Sequence, residues 1–286
     1  MLKYIRVTVP YYIPIALGGA FVGIATSNGI LNLSALLAFL SLAFLVAGFN
    51  VYNGITDFKV DLINKPYRPI PSGKITRKQA FVYTIILYVL SWLFAFQLTK
   101  EFFIIIMIST LITTLYSAPV IRLRKRFLWG NFSGAIFYGI LCPLAGWSLT
   151  PLNPIPVYII AFIFLLAFSL SITKDFEDLL GDRIYANKTL PVVLGGKSAS
   201  FLTATVLIIS FLYLYSAITL GMLGREYLLT ILLVPGFLYL IRKMYMSSNN
   251  NHSFANEKTK SRTMFFILIG LGVIVEIMIG IIAFLI

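Results

Sequence analysis

Nine long apolar runs, separated by short polar breaks, fill most of the chain. They lie near residues 8–26, 33–57, 79–98, 102–119, 128–148, 155–178, 199–220, 226–246 and 263–286. A helix crosses the roughly 30 Å hydrocarbon layer in about 20 mostly apolar residues, so each run is long enough to span. The pattern predicts an all-α, polytopic membrane protein, a bundle of nine transmembrane helices forming one domain over residues 1–286. The first run lacks a small-residue cleavage site and eight further spans follow it, so it is expected to stay as a helix and not to be removed as a signal. Composition excludes the soluble alternative. With 59% hydrophobic residues, 12% charged residues and a mean hydropathy of +0.92, the 286-residue chain is too apolar for a water-soluble globular domain.

The formal charge of +13 is explained by topology. Lys and Arg accumulate in cytoplasmic loops of membrane proteins. Alternate connections between the expected spans hold 21 of the 23 basic residues, and only Lys100 and Arg225 fall on the other side. The expected location is therefore a cell membrane, with the N-terminus and the long polar segments 58–78 and 179–198 on the cytoplasmic face. No nucleic-acid partner is needed. The stretch Asn249-Asn250-Asn251-His252 reads as a polar loop with an inert histidine. Cys142 and His252 are the single residues of their types, which excludes a disulfide framework and a Cys- or His-based metal centre. Any metal must take oxygen ligands.

All five aspartates fall in two clusters, Asp57 and Asp61 after the second run, and Asp175, Asp178 and Asp182 after the sixth. Asn53, Asp57 and Asp61 are four residues apart, which on a helix stacks three oxygen-bearing side chains on one face. Lys174, Asp178 and Asp182 repeat the spacing, with Asp175 about 100° round the helix. Like charges one turn apart repel, and a cation relieves them. A hard, oxygen-only ligand set selects Mg²⁺, which favours one or two carboxylates together with substrate phosphate oxygens. Two such stripes facing one another would hold a diphosphate through bridging metal ions. The segments behind them are alike too. Pro71-Ser72-Gly73-Lys74 leads to a capping-box pattern at Thr76 and Gln79, and Thr189-Leu190-Pro191 leads to Gly195-Gly196-Lys197-Ser198. The basic residues Lys65, Arg68, Arg122, Arg124, Lys174 and Arg183 are interleaved with the acids. Arg suits phosphate because its fork donates two parallel hydrogen bonds.

These residues resemble the UbiA-type intramembrane prenyltransferases. The likeness rests on Asn53-x-x-x-Asp57-x-x-x-Asp61 with the trailing loop Asn64-Lys65-Pro66-Tyr67-Arg68-Pro69-Ile70-Pro71-Ser72-Gly73. It continues in Lys174-Asp175-Phe176-Glu177-Asp178-Leu179-Leu180-Gly181-Asp182-Arg183, Thr189-Leu190-Pro191-Val192, Tyr116-Ser117-Ala118-Pro119 and Asn131. The resemblance covers essentially the whole chain. It implies a central cavity opening into the lipid, in which an Mg²⁺-bound isoprenoid diphosphate loses diphosphate and a membrane-soluble acceptor captures the allylic cation. It further implies metal binding by Asn53, Asp57, Asp61, Asp178 and Asp182, and phosphate contacts from Lys65, Arg68, Arg122 and Lys174. Asn131 is expected on the substrate side, Tyr116 beside the allylic carbon, and Asp175 as a further ligand or acceptor-side base. Gly54 follows Asn53 where the family often has an acid, leaving that acid's role unfilled. The Ile63–Gly73 loop is most similar to the archaeal branch of the family, which adds a second geranylgeranyl group to geranylgeranylglyceryl phosphate, and to chlorophyll synthases. The competing expectations are prenylation of an aromatic or chlorin acceptor, a divalent-cation transporter, and a structural scaffold. Gly19-x-x-x-Gly23 in the first run is expected to pack against a helix of the same chain.

Overall fold

The computed structural model describes residues 2–151, 153–247 and 258–286, and the expected polar loop around His252 lies outside them. In chain order the helices are α1 (Leu2–Val7), α2 (Ile13–Thr26), α3 (Leu33–Thr56), α4 (Phe58–Asn64), α5 (Arg77–Phe96) and α6 (Lys100–Ser117). They continue as α7 (Trp129–Ile136), α8 (Cys142–Trp147), α9 (Val157–Lys174), α10 (Leu179–Ile184), α11 (Leu190–Leu194), α12 (Gly196–Thr219), α13 (Val234–Ser247) and α14 (Lys258–Leu285). Among the described residues, seven helical stretches are long and apolar enough to cross a membrane. They are α3, α5, α6, α9, α12, Arg225–Met246 and Thr263–Leu285. Two expected spans take other forms. The first is α2 preceded by the tight turn Pro10–Tyr12. The fifth is α7 and α8 joined through a wide π turn at Phe137–Leu141. Pro143 supplies a cause for that turn. A proline inside a regular helix clashes with the carbonyl four residues back, and a wider turn before it gives the ring room.

On α5 the order usual in a soluble protein is inverted, with large apolar side chains outside and small polar groups turned into the core. Phe81, Ile85, Val89 and Leu93 are all exposed, one turn apart, whereas Thr84 and Ser91 are buried. Ser91 is bonded across to α3, its carbonyl accepting from Ser41 Oγ at 2.9 Å. Such an inversion is stable only where hydrocarbon bathes the outside. Helices α2, α3, α6, α7, α9 and α14 pack in succession, each on the next, and α14 returns to α2.

Glycines set the closest approaches. A Cβ at Gly23 would fall on the Pro143 carbonyl, and one at Gly146 on the Ala20 carbonyl, so α2 and α8 touch backbone to backbone. Gly19 sits on the same seam, 3.1 Å from the Cys142 Cβ by the same construction. The expected Gly19–Gly23 contact is thus made within the chain. The capping box forms as expected, Gln79 N–H donating to Thr76 Oγ1 at 3.2 Å and Thr76 N–H to Gln79 Oε1 at 3.0 Å. It fixes the start of α5 behind the loop that carries Lys65 and Arg68. Replacing Gly23 with Leu forces α2 off α8, and overpacking of this kind costs about 1–3 kcal/mol or more. The Gly23→Leu protein is expected to melt clearly below wild type in detergent, whereas Gly134→Ala, where nothing stands within 4 Å, leaves the midpoint within about 1–2 °C.

Candidate active site

Each acidic stripe is built across a short break in its helix. The α3 helix ends at Thr56 and α4 starts at Phe58, yet the backbone keeps four-residue bonding through the joint. Asp57 N–H bonds Asn53 O at 2.9 Å, Asp61 N–H bonds Asp57 O at 2.8 Å, and Lys65 N–H bonds Asp61 O at 2.8 Å. The three side chains therefore stay stacked as their spacing requires. After α9 the chain tightens over Asp175–Asp178 into bonds three residues apart, then resumes with Asp182 N–H on Asp178 O at 2.8 Å. Asp57, Asp61, Asp175, Asp178 and Asp182 are all buried.

The two clusters, more than a hundred residues apart in sequence, meet. Asn64 joins them through the backbone, its Nδ2 donating to the Asp178 carbonyl at 2.9 Å and its Oδ1 accepting from Gly181 N–H at 3.1 Å. Lys65 crosses from the first segment to Asp178 at 2.7 Å and Glu177 at 3.3 Å. Arg124 stands between the stripes, paired with Asp57 on one side, with Asp178 at 2.8 Å on the other, and with Asp182 at 3.9 Å. Arg68 holds Asp61 at 3.0 Å, and Arg122 holds Asp57 at 3.2 Å while also donating to the Thr56 carbonyl at 2.7 Å.

Burial works against the carboxylates of Asp61, Asp175, Asp178 and Asp182, and the cations decide the outcome. Asp178 would be raised by burial, but Lys65 and Arg124 hold it well below the ordinary carboxylate range. Burial wins at Asp61, against Arg68, and at Asp182, against Arg124, so both are raised. At Asp175 burial dominates over Lys174 and pushes the carboxyl to about 7. Asn131 orients that carboxyl, its Nδ2 donating to Asp175 Oδ2 at 3.1 Å.

Beside this layer opens a cavity with about 870 Å³ of empty space, its open mouth included. Tyr116, Asn131, Lys174 and Asp175 line it at the charged end, and Phe49, Ile163, Leu166 and Val273 line its apolar body. Lys174 Nζ lies 2.7 Å from Tyr116 Oη and 4.9 Å from the centre of the Tyr116 ring, and Phe49 meets that ring edge-on at 5.4 Å. Asp57, Asp61, Asp178 and Asp182 are not among the lining residues. They stand in the ion-paired layer, and Asp61 and Arg68 also border a smaller cleft beside Asn50 and Gly54. Asn53 Nδ2 donates to Ser117 Oγ at 3.2 Å.

Among the described residues no three acidic side chains are gathered into a ready-made metal cage. Mg²⁺ does not need one, since it shares its shell between one or two carboxylates, water and phosphate. The donors present are all hard oxygens, and Asp182 Oδ2 and Glu177 Oε1 are buried without a partner, so the residues fit such an ion. In the sequence Arg124 is only one of the basic residues interleaved with the acids and Asn64 has no role of its own, whereas the structure puts Arg124 between the two stripes and makes Asn64 the bridge between their backbones.

Residues 12–275 match the model of the UbiA prenyltransferase family. The chain is 33% identical over 209 residues to the digeranylgeranylglyceryl phosphate synthase of Methanothermobacter thermautotrophicus, covering 73% of each chain. It is 33% identical over 244 residues to the enzyme of the same name from Methanosarcina mazei, covering 83% of this chain and 81% of the relative. Among solved structures, a UbiA homologue from Archaeoglobus fulgidus bound to GPP and Mg²⁺ superposes with a TM-score of 0.74 at 22% identity, over 99% of this chain and 100% of the other.

Removing Arg124 tests the charged layer. Arg124→Leu leaves Asp57 and Asp178 buried short of a cation, which costs about 3–5 kcal/mol. Thermal unfolding in metal-free detergent is expected to show a large loss of stability. Addition of Mg²⁺ with a diphosphate recovers part of it, because the ion takes over the neutralisation. A variant melting with wild type would show that Arg124 does not hold the stripes together.

Proposed function

The chain belongs to the UbiA prenyltransferase family and is an intramembrane prenyltransferase, and from that premise we propose its reaction. It moves a geranylgeranyl group from geranylgeranyl diphosphate to the free hydroxyl of geranylgeranylglyceryl phosphate, with Mg²⁺ as its metal, forming the second ether bond of an archaeal-type membrane lipid. The acceptor follows the names of the relatives. The observation that carries the chemistry is the meeting of two acidic stripes, through Lys65 and Arg124, beside an apolar cavity. In this reading residues 1–286 form one domain of nine membrane-crossing helices, the cavity is its central chamber, and the charged layer faces the cytoplasm.

Asn53, Asp57, Asp61, Asp178 and Asp182 would hold Mg²⁺ together with the diphosphate. Bound Mg²⁺ neutralises phosphate oxygens and so favours departure of the diphosphate. Without ligand, the six acids Asp57, Asp61, Asp175, Glu177, Asp178 and Asp182 face the five basic side chains Lys65, Arg68, Arg122, Arg124 and Lys174. That near balance leaves no spare charge for a diphosphate entering alone. Lys65, Arg68 and Arg122 turn toward its oxygens, and Lys174, anchored on Tyr116, stands at the cavity end where charge develops on the bridging oxygen. The C1–O bond breaks with its electron pair leaving on diphosphate. The Tyr116 ring lies beside the allylic carbon, and the apolar walls keep water from it. The acceptor hydroxyl oxygen bonds C1, and its proton passes to Asp175, which Asn131 orients.

Purified protein with Mg²⁺ and labelled geranylgeranyl diphosphate, offered geranylgeranylglyceryl phosphate, an aromatic acceptor and a chlorin in turn, is expected to label the glyceryl phosphate alone. Asp57→Ala is expected to lower turnover at least about a hundredfold. Absence of the ether product would reject the acceptor assignment. Mg²⁺ flux through liposomes without prenyl transfer would favour a transporter.

Asp175 accepts a proton only when ionised. With its carboxyl raised to about 7, the ionised fraction grows about tenfold per pH unit below that value and levels off above it. Single-turnover rates are expected to follow the same curve, and Asp175→Asn to lose both the rate and the acidic limb. A profile flat from pH 5 to 8 in wild type would remove Asp175 as the base.

A further inference from the structure

The cavity carries one carboxyl that the mechanism above does not use. Glu276 sits in the middle of α14, 4% exposed, and its Oε2 is buried with no hydrogen-bond partner. It lines the same cavity as Asp175 and Lys174, among Ile15, Ile269 and Val273. Room is made for it by Gly18 on α2. A Cβ there would stand 3.1 Å from the Glu276 Cβ and 3.3 Å from its Cδ, closer still to the carboxyl oxygen. No ion pair among the described residues reaches it. Leaving a buried polar group unsatisfied costs about 1–3 kcal/mol. An acid inside a membrane domain that faces the interior rather than lipid marks a functional position.

The donor does not satisfy this group. An isoprenoid tail is hydrocarbon throughout, and its diphosphate is held at the charged layer. The acceptor hydroxyl gives its one proton to Asp175, so the oxygen left for Glu276 is an ether, to which the carboxyl, as the acid, donates. Of the two substrates, only the acceptor carries an ether oxygen on the reacting side of its hydrocarbon. Resting on the proposed function, we propose that Glu276 is an acceptor-binding residue, hydrogen-bonded to the oxygen-bearing linkage of the acceptor lipid and placing that substrate along the α2–α14 wall of the cavity.

The test compares wild type with Glu276→Leu and Glu276→Gln in nanodiscs, measuring KM for acceptor and donor separately, together with binding of geranylgeranyl thiodiphosphate as a non-reacting donor probe. Glu276→Leu is expected to raise the acceptor KM about tenfold or more, with donor KM and probe binding within about twofold. Glu276→Gln, which still donates and accepts, should stay within about threefold of wild type for both substrates. An acceptor analogue lacking the hydroxyl isolates the ether contact. Its inhibition constant is expected to rise in Glu276→Leu, and an unchanged value would overturn the assignment.

An unchanged acceptor KM in Glu276→Leu, or a parallel rise for both substrates with a lowered melting point, would overturn the assignment. Should Glu276→Leu not fold, Gly18→Ala displaces the carboxyl and is expected to give the same split in KM. An unchanged acceptor KM there overturns the assignment equally. If wild type prenylates an aromatic hydroxyl instead, the glyceryl phosphate reading fails, while the same KM comparison with that acceptor still decides the role of Glu276.

Discussion

Arg124 is the pivot on which the two halves of the chain close. Its guanidinium pairs with Asp57 from the first acidic stripe and with Asp178, at 2.8 Å, from the second. Each carboxylate alone would be costly in a buried place, and a single cation shared between them removes much of both penalties at once. The loop before α7 delivers it there at a local cost. Arg122 has φ 44° and Leu128 φ 65°, both in the left-handed region that side chains other than Gly rarely adopt. Such strain persists only where surrounding contacts outweigh it, and the ion pairs of Arg122 and Arg124 are made at and just after the first strained position. Buried ion pairs contribute more to register than to net stability. Here that register sets α4 against α10, with Asn64 fixing the contact through the Asp178 carbonyl.

The same layer constrains what the site binds. Its cations are already engaged by carboxylates, so a phosphate ligand gains a guanidinium only if another positive charge takes that guanidinium's place. The exchange is possible because the pairs differ in grip. Lys65 and Arg124 hold Asp178 firmly, whereas Asp61 and Asp182, raised by burial despite Arg68 and Arg124, are less fully compensated. The 3.9 Å separation of Arg124 from Asp182 and the unpartnered Asp182 Oδ2 point to the same edge of the layer. If the proposed Mg²⁺ binds, poorly paired carboxylates of this kind are where it gains most, because their charge is the least neutralised by neighbouring cations.

What the sequence disclosed was whatever local periodicity writes. Apolar runs of membrane length gave the helices, and four-residue spacing gave the acidic stripes, because both are properties of a single helix. The wide turn before Pro143 was not foreseen, since a proline in an apolar run is compatible with a kink, a break or a π turn, and packing selects among them. Arg124 stands among four basic residues within five positions, and no spacing rule says which of them is buried. Asn53 has the spacing of a ligand, yet its amide is engaged with Ser117, a contact between separate helices that no spacing rule contains. Glu276 is a lone acid within an apolar run, with no partner at helical spacing to mark a site, and only the fold shows that it faces the cavity.

The cavity also has to join two incompatible environments, and α9 is the element that spans them. Ile163 and Leu166 line the apolar body, and Lys174 lines the charged end of the same space. At 1.5 Å per residue, the eleven steps from Ile163 to Lys174 cover about 16 Å. Over that length the helix passes from surroundings in which a carbocation has no water to react with to surroundings in which a multiply charged leaving group is stabilised. Neither suffices alone. A wholly apolar chamber would offer nothing to a departing diphosphate, and a wholly polar one would admit water to the cation. Lys174 at the boundary, bonded to Tyr116 Oη at 2.7 Å, ties the last cation of the charged layer to the first aromatic ring of the dry one. Under the proposed function, the carbon and oxygen of the breaking bond lie on either side of this pair, with the reacting centre at the seam between the two environments.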